Sequence, residues 1–463
     1  MKRYLGVVLL MGASLLGQEA PPAPSGDVEQ APAAQEPESE YGGPAILSRG
    51  GGPSIGGGGE LLRLRPFLTV NGMYDSNLAA ASLDQNGQVA YQDGYGVEAM
   101  FGVTGAHQFK ESVLSLDYRG SLRHYTQRSY YDGFDNSLML AYERRLTSRT
   151  SIMLGETATR TTRAFGLPMD SYYGAGLFGY DPTWSGLLTN ELFDTPTTAL
   201  MSRVQLVHQR TARLSFSIGG DGFIVRRRSV ALFGANGYHA TGSLAYRLTR
   251  YQTIGVSYTF GHFDFQSRYG QSDMHGVALN YSARLGRRWE IGLAAGGYRV
   301  ESQRLTQVPV DPFIAAILGQ AYGVEKFHGV SYLPHLGARI TRSFRHSTAT
   351  LGYDRTVLAG NGLYTTAGME SAHAGFSWTG IGRVTLQGGA GYSKFSAITQ
   401  QIGAYRSYSA SGGFSTRLSR VVSMIGRIDG RNYSIHGAVL KRTYYRATLG
   451  FGFTPGEAPL AIW

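Results

Sequence analysis

Cysteine is absent from this 463-residue chain, and proline is scarce, with 16 residues. The lack of thiols fits an oxidising compartment, where a stray cysteine would be a liability. Long apolar runs are missing too, because beyond the N-terminal segment no uncharged run approaches the roughly 20 residues that a transmembrane helix needs. Helical membrane proteins are therefore excluded as a class.

Glycine and tyrosine are abundant instead, with 64 and 30 residues. Residues 446–453 alternate apolar side chains with small or polar ones, and versions of this pattern recur along most of the chain at roughly 20-residue spacing. Each repeat predicts a strand with one apolar and one polar face. Since no linker divides the patterned region, we expect one closed sheet with lipid outside and water inside.

The N-terminus differs from the rest of the chain. Lys2 and Arg3 precede an apolar run at residues 4–16, and the small residue Gly17 follows. This order of a basic, an apolar and a small-residue region predicts a secretory signal peptide at residues 1–17. The mature chain is therefore expected outside the cytoplasm.

Three further regions follow the signal peptide. Residues 18–60 are rich in Pro, Ala, Glu and Gly and hold too few apolar residues for a core, which predicts a flexible periplasmic tail. The barrel is expected at residues 61–454. Pro455 and Pro459 interrupt strand pairing, so residues 455–463 are predicted to be a second periplasmic tail. Whether Phe453 or Trp463 is the terminal aromatic of the last strand stays open.

Turn-like breaks divide the patterned region into strands. Short connections of two to five residues alternate with longer ones, among them residues 76–93, 161–196 and 303–328. Bacterial barrels have this asymmetry between short periplasmic turns and long extracellular loops. The breaks predict about 18 strands, with 16 as the alternative, and leave both chain ends on the short-turn side.

A signal peptide, a flexible tail and amphipathic strands with alternating short and long connections resemble the Gram-negative outer-membrane β-barrel, porin-like class. The resemblance covers residues 61–463 and is one of architecture. It implies an all-β, antiparallel up-and-down transmembrane barrel in the bacterial outer membrane. Membrane lipid, lipopolysaccharide and the barrel-assembly machinery are the implied partners, and a homotrimer is one alternative for the assembly state.

Strand number and charge together suggest a function. Barrels of 16 to 18 strands enclose an aqueous channel unless something fills them. The formal net charge is +11, and the first 60 residues are net acidic, so the barrel region is more basic still. We therefore expect a channel for small or polymeric solutes that prefers anions. The alternatives are an exporter of an acidic polysaccharide and a structural or surface-interaction barrel with a blocked lumen.

The polar faces of the predicted strands carry the candidate lumen residues. The cations are Arg119, Arg123, Arg203, Arg247, Arg284, Arg339, Arg427, Arg431 and Arg446. The acids are Asp117, Glu143, Asp221, Asp354 and Asp429. Two interpretations remain open: the arginines pair with acids and brace the wall, or they form a path for anions.

The connection at residues 161–196 combines aromatic and charged side chains. Such a loop suits either a constriction folded into the pore or an exposed surface. The constriction candidates are Arg163, Asp170, Tyr172, Tyr173, Asp181, Trp184 and Glu191.

Arg226, Arg227 and Arg228 end a predicted strand on the extracellular side. They are candidates for contacts with lipopolysaccharide phosphates through charge-assisted hydrogen bonds. A solvated run of charge fits the same three residues equally well.

Signals for enzymes are weak. The histidines are scattered without the spacing of metal ligands, and no metal site or cofactor is predicted. A membrane-embedded hydrolase is the least favoured function, with His373 beside Ser371 as the nearest candidate. Basic charge without a recognised binding module does not indicate nucleic acid.

Overall fold

The computed structural model describes residues 61–78, 92–126, 131–162, 195–229, 232–265, 270–309, 313, 322–381, 383–398, 403–436, 441–455 and 458–461. The predicted signal peptide and the tail at residues 18–60 lie outside these ranges. No helix among the described residues is long and apolar enough to cross a membrane.

The described residues form nineteen strands in chain order. The first nine are β1 Leu61–Asp75, β2 Gly94–Gln108, β3 Ser112–Tyr125, β4 Gly133–Thr147, β5 Thr150–Thr161, β6 Thr197–Gln209, β7 Leu214–Arg227, β8 Ala235–Thr249 and β9 Gln252–Phe265. The next nine are β10 Gly270–Leu285, β11 Trp289–Pro309, β12 Tyr322–Ser343, β13 Ser347–Leu358, β14 Ala367–Ile381, β15 Val384–Ala397, β16 Tyr405–Arg417, β17 Val422–Ile435 and β18 Lys441–Phe453. The last is the short β19 Ala458–Ala461.

The wall is a closed antiparallel barrel of 18 strands, as predicted. Each strand pairs with its neighbours in the chain, and β18 returns to β1, from Phe453 opposite Leu68 to Arg446 opposite Asp75. The short β19 then pairs with the first residues of β1, with Ala461 opposite Leu61. The segment predicted to be a C-terminal tail thus contains four residues that extend the pairing along β1.

The long connections lie at one end of the barrel, which we call the loop side, and the short ones at the turn side. The connection predicted at residues 303–328 was wrong in its length, because β11 runs to Pro309 and β12 begins at Tyr322. Val308 pairs opposite Gly323 and Leu305 opposite Lys326. Backbone pairing between β11 and β12 continues past the segment in which apolar and polar residues alternate clearly. The two strands are therefore longer than the sequence pattern predicts.

The outer face of the wall is apolar. Ile218, Leu279 and Ile428 are each more than half exposed, although they are large hydrophobic residues. A continuous belt of this kind is unstable in water. Further members are Leu68, Val70, Leu122, Val204, Phe216, Leu244, Val256, Val277, Leu293, Leu336, Leu351, Phe376, Leu449 and Phe451.

Candidate functional site in the barrel lumen

The wall is a closed 18-strand antiparallel barrel with large apolar side chains on its outer face, and a barrel of this kind is suited to span a lipid bilayer. The apolar outer face is suited to contact lipid. Functional side chains are therefore sought in the lumen and at the two ends.

The strand register places the predicted lumen residues on one face of the wall. In β3, the side chains of Asp117 and Arg123 are buried, whereas Leu122 between them is half exposed on the outer face. Opposite residues of neighbouring strands share a face, which carries this assignment around the barrel. All nine arginines and all five acids of the predicted set lie on the inward face.

Several of these arginines are in ion pairs. Two pairs join residues of the same strand and so neutralise charge without linking strands, whereas a third joins β6 to β7. The nitrogen–oxygen distances are 2.9 Å for Arg119–Asp117, 2.8 Å for Arg427–Asp429 and 3.9 Å for Arg203–Asp221. His239 Nδ1 also lies 2.8 Å from Asp221, so that carboxylate has two basic partners.

The closing seam between β18 and β1 has a buried polar network around Asp75. Arg446 donates from Nε at 2.7 Å and from Nη2 at 2.9 Å to the two carboxylate oxygens. The hydroxyls of Tyr125 and Tyr444 donate to the same carboxylate. Asp75 is fully buried. One carboxylate thus connects three strands at the place where the barrel closes.

A second buried pair lies two strands further on. Arg123 Nη2 is 2.5 Å from Asp135 Oδ2, and both side chains are inaccessible to solvent. Thr162 donates to Asp135 from its amide at 2.6 Å and from its hydroxyl at 2.8 Å. Sequence reasoning missed both Asp75 and Asp135, because each stands at a strand end where the alternating pattern is interrupted by a loop.

At the loop side, β13 separates from β12, whereas β14 stays paired with β15 as far as Ala367 opposite Ala397. Pairing of β12 with β13 stops at Leu336 opposite Arg355, whereas β13 and β14 stay paired as far as Leu358 opposite Ala367. Beyond this point Val357 and Leu358 are both buried, although successive strand residues face opposite ways. The tip has therefore turned into the barrel.

The inward loop, which we define as residues 359–366, is shaped by two glycines. Gly360 and Gly362 have φ angles of +70° and +92°, a region that favours glycine. A Cβ at Gly360 would lie 2.1 Å from the carbonyl oxygen of Tyr364. A side chain at that position is therefore incompatible with the turn.

Hydrogen bonds hold the inward loop from several sides. The Phe233 amide donates to the Gly362 carbonyl at 3.2 Å, and the hydroxyls of Ser272 and Thr366 lie 2.6 Å apart. The Tyr364 hydroxyl donates to the Gly403 carbonyl at 2.5 Å. Because these partners come from different parts of the wall, the loop spans the interior.

Two apolar clusters pack around this loop. One joins Val357 and Ala359 to inward side chains of β6–β11, including Phe223 and Phe263. The other joins Leu358 and Tyr364 to β15–β18, and its remaining members include Met369, Phe395, Tyr405, Tyr433 and Tyr444. Packed side chains therefore fill much of the loop-side lumen.

Burial of Tyr364 in the second cluster disfavours its charged form and raises the pKa of the hydroxyl to about 12. Its hydrogen bond to Gly403 requires the neutral, protonated form. The loop is therefore held by a donor that persists well above neutral pH.

The turn-side lumen differs. A Cβ built at Gly292 or Gly375 meets no atom within 4 Å, so open space adjoins the inner wall there. Arg339, which stands opposite Gly292, is exposed. Within the described residues, no ion pair joins Arg247 or Arg339 to a carboxylate.

Other predicted residues are placed as follows. Arg226 and Arg228 are exposed, whereas Arg227 is buried on the inward face and donates to the Phe233 carbonyl at 2.9 Å. Of these three arginines, only Arg226 and Arg228 are exposed and could make the suggested contacts with lipopolysaccharide. All seven constriction candidates of the long connection lie outside the described residues.

Ser371 and His373 both lie on the inward face of β14, opposite Asp354 and Gly352. Neither reaches the outer surface that a membrane hydrolase would use. Among the described residues, no group of three or more His, Asp and Glu side chains is placed to hold a metal ion.

Comparisons with known proteins found resemblance in structure alone. No family model matches the chain, and no curated protein is similar to it in sequence. The chain is similar to OccK2 (OpdF) of Pseudomonas aeruginosa, with 11% identity over 85% of this chain and 98% of that chain and a TM-score of 0.40. It is also similar to a BenF-like porin from Pseudomonas fluorescens Pf-5, with 10% identity over 84% of this chain and 98% of that chain and a TM-score of 0.41. For opdK of P. aeruginosa the identity is 12% over 86% of this chain and 99% of that chain, with a TM-score of 0.38. Similarity at this level transfers no substrate and no site residue to the chain.

Proposed function

We propose that the barrel is a channel for small solutes, narrowed at the loop side by the inward loop and open at the turn side. The observation that carries the proposal is the contrast in filling within one lumen. Open space adjoins Gly292 and Gly375, whereas the loop-side interior is crossed by residues 359–366. Water-filled barrels of this size pass solutes, and constrictions set which ones.

Anion preference is the finer part of the proposal. Arginines outnumber carboxylates among the inward residues, and Arg119, Arg203 and Arg427 are already balanced by nearby acids. The excess positive charge therefore comes from residues such as Arg247 and Arg339. A low-dielectric wall focuses the field of such charges on the lumen.

The test is electrical recording from the purified full-length chain in planar bilayers. Channel steps in KCl are expected, with a reversal potential in a salt gradient that favours chloride. The absence of steps overturns the channel proposal, and a reversal potential that favours potassium overturns the anion preference alone. Preparations are checked for folded barrel by the heat-dependent shift in gel mobility, so that silence is not mistaken for unfolded protein.

A barrel with a closed lumen is the second candidate, and the two apolar clusters at the loop side favour it. On this proposal the wild type is silent in bilayers. Removal of the inward loop would then produce conductance where the wild type has none. The channel proposal instead expects steps from both proteins.

A further inference from the structure

A row of five charged side chains and one serine crosses the outer face of β13–β18 near the loop side. The register places each residue opposite the next, so the six form one line around the barrel. We call this line the basic row; its members are Arg355, Glu370, Lys394, Arg406, Ser434 and Lys441.

A line of tyrosines lies directly below the basic row, towards the membrane centre. Tyr353, Tyr392 and Tyr408 occupy the outward positions two residues closer to the membrane centre on their strands, and the ring centroids of Tyr392 and Tyr408 are 5.1 Å apart. The next outward line is apolar, with Leu351 and Ala390. Tyrosine marks the membrane–water interface of such barrels. The basic row therefore lies at the level of the outer-leaflet headgroups.

The charges of the basic row do not cancel. Glu370 lies 3.4 Å from Lys394 Nζ and 3.5 Å from Arg355 Nη1, and it is the sole acid in the row. Arg406 and Lys441 add further positive charge. Ammonium and guanidinium groups form charge-assisted hydrogen bonds, so the row is suited to a ligand that supplies anionic oxygens.

The neighbouring strands β9–β11, which are separated from β13 by β12 alone, have the opposite character at a similar height. There the outer face carries Asp264, Asp273 and Glu301, with His262 between two of them at 2.7 and 3.3 Å. Carboxylates at this level repel phosphate. The basic row therefore does not continue onto β9–β11, and the exposed arginines Arg226 and Arg228 lie at a separate place on the loop side.

We propose that the basic row binds the phosphate groups of a phosphorylated glycolipid of the outer leaflet. Its acyl chains would lie on the apolar belt and its sugars beside the tyrosines, while Lys394 and Arg406 donate to phosphate. An anchored lipid fits better than a soluble anion, because the apolar belt begins two lines below the charges. The site is distinct from Arg226 and Arg228, which lie on β7 and just beyond it.

The test uses the full-length chain in detergent and two probes: bis-phosphorylated lipid A and lipid A from which both phosphates have been removed. Retention of lipid is measured by native mass spectrometry over a concentration series. The wild type is expected to bind the phosphorylated probe, less tightly at high salt, and to bind the dephosphorylated probe much more weakly. Equal binding of the two probes, or none, overturns the proposal.

The variant Lys394→Gln with Arg406→Gln removes two donors from the basic row. Affinity for bis-phosphorylated lipid A is expected to fall about tenfold or more, since charge-assisted hydrogen bonds are lost. The matched control is Arg287→Gln with Arg288→Gln, which removes the same charge from an exposed turn at the other end of the barrel and leaves affinity unchanged. Equal affinity of the two double variants would contradict the site.

Glu370→Gln provides an independent check that retains all the donors. Removal of the sole acid is expected to tighten binding of the phosphorylated probe, and a loss of affinity would count against the proposal. Inorganic phosphate at the same concentration is expected not to displace the lipid. Displacement would point to a soluble anion and overturn the glycolipid as the ligand.

Discussion

At the loop side of the lumen, inward positions hold large buried side chains and complete ion pairs, such as Asp75 with Arg446. At the turn side, the inward face of β11 and β14 has open space beside Gly292 and Gly375, and Arg339 of the intervening β12 is exposed. Both halves follow one alternating pattern, in which every second residue points inward. The difference shows that alternation sets which residues point inward, while their size and partners decide whether the lumen is filled.

The filled half also accounts for the placement of the buried charges. A carboxylate in a dry interior needs several donors, and Asp75 receives them from an arginine and two tyrosines. Asp117 lies nearer the turn side, and its partner Arg119 is partly exposed, with 23% of the side chain accessible. Charges in the two halves should therefore differ in their contribution to stability.

The largest expected effect comes from Asp75→Ala. Loss of this carboxylate leaves Arg446 buried without its ion-pair partner, which is expected to destabilise the barrel by about 3–5 kcal/mol. The measurement is unfolding of the barrel in urea, followed by the heat-dependent gel shift. Asp117→Ala is the control from the more open half and should cost much less, because water can solvate Arg119. Equal losses would remove the distinction between the two halves.

The next effect concerns the inward loop. Because the chain has no cysteine, Ser272→Cys with Thr366→Cys adds a single pair of thiols at positions whose hydroxyls lie 2.6 Å apart. Oxidation should lock the loop, and removal of residues 359–366 should raise single-channel conductance by about twofold or more. Recordings before and after reductant check the lock in one preparation. Identical conductance for the locked, reduced and deleted forms would mean that the loop does not narrow the lumen.

A smaller effect is expected from Arg339→Glu, which reverses a charge in the open half. The reversal potential in a tenfold KCl gradient should move towards the potassium side, by well under the roughly 59 mV Nernst limit. Arg446→Met is not a suitable control because it breaks the closing seam. Arg287→Glu lies in an exposed turn and should change the potential less than Arg339→Glu.

The smallest effect is a pH dependence of the inward loop. The pKa of Tyr364 is raised by burial to about 12 from its ordinary value of 10.0. Its contribution to the docked loop is therefore complete below pH 10 and is lost as pH rises towards 12. Conductance of the wild type should increase across this interval, whereas Tyr364→Phe should lack this particular step. A step of equal size in Tyr364→Phe would assign it to another group.

Much of the wall could be predicted because strand alternation is a local property. A period of two separates Leu122 from its neighbours Ser121 and Arg123 whatever the rest of the chain does. Turn residues between such segments gave the number of strands, since each break separates two crossings. The lengths of β11 and β12 could not be predicted as well. Beyond the apolar belt neither face of a strand contacts lipid, so apolar and polar residues need not alternate there.

The sequence contains a sign of the inward loop that the strand pattern alone did not reveal. Val357, Leu358 and Ala359 are three successive apolar residues just before a Gly-Asn-Gly run, where a wall strand should alternate. This interruption indicates burial on both faces. It does not say what covers the segment, and Phe233 and Gly403 are more than 35 residues away in the chain.

The sequence by itself determined the strands, their two faces and the chemistry available on each, because side-chain alternation and turn residues act over a few neighbouring positions. Tertiary structure alone decided which inward residues meet. Asp75 and Arg446 are 371 residues apart and come together when the last strand pairs with the first. The inward loop likewise exists because the end of β13 separates from β12 and the loop contacts partners across the lumen. Such contacts depend on barrel closure and register, which no local pattern encodes.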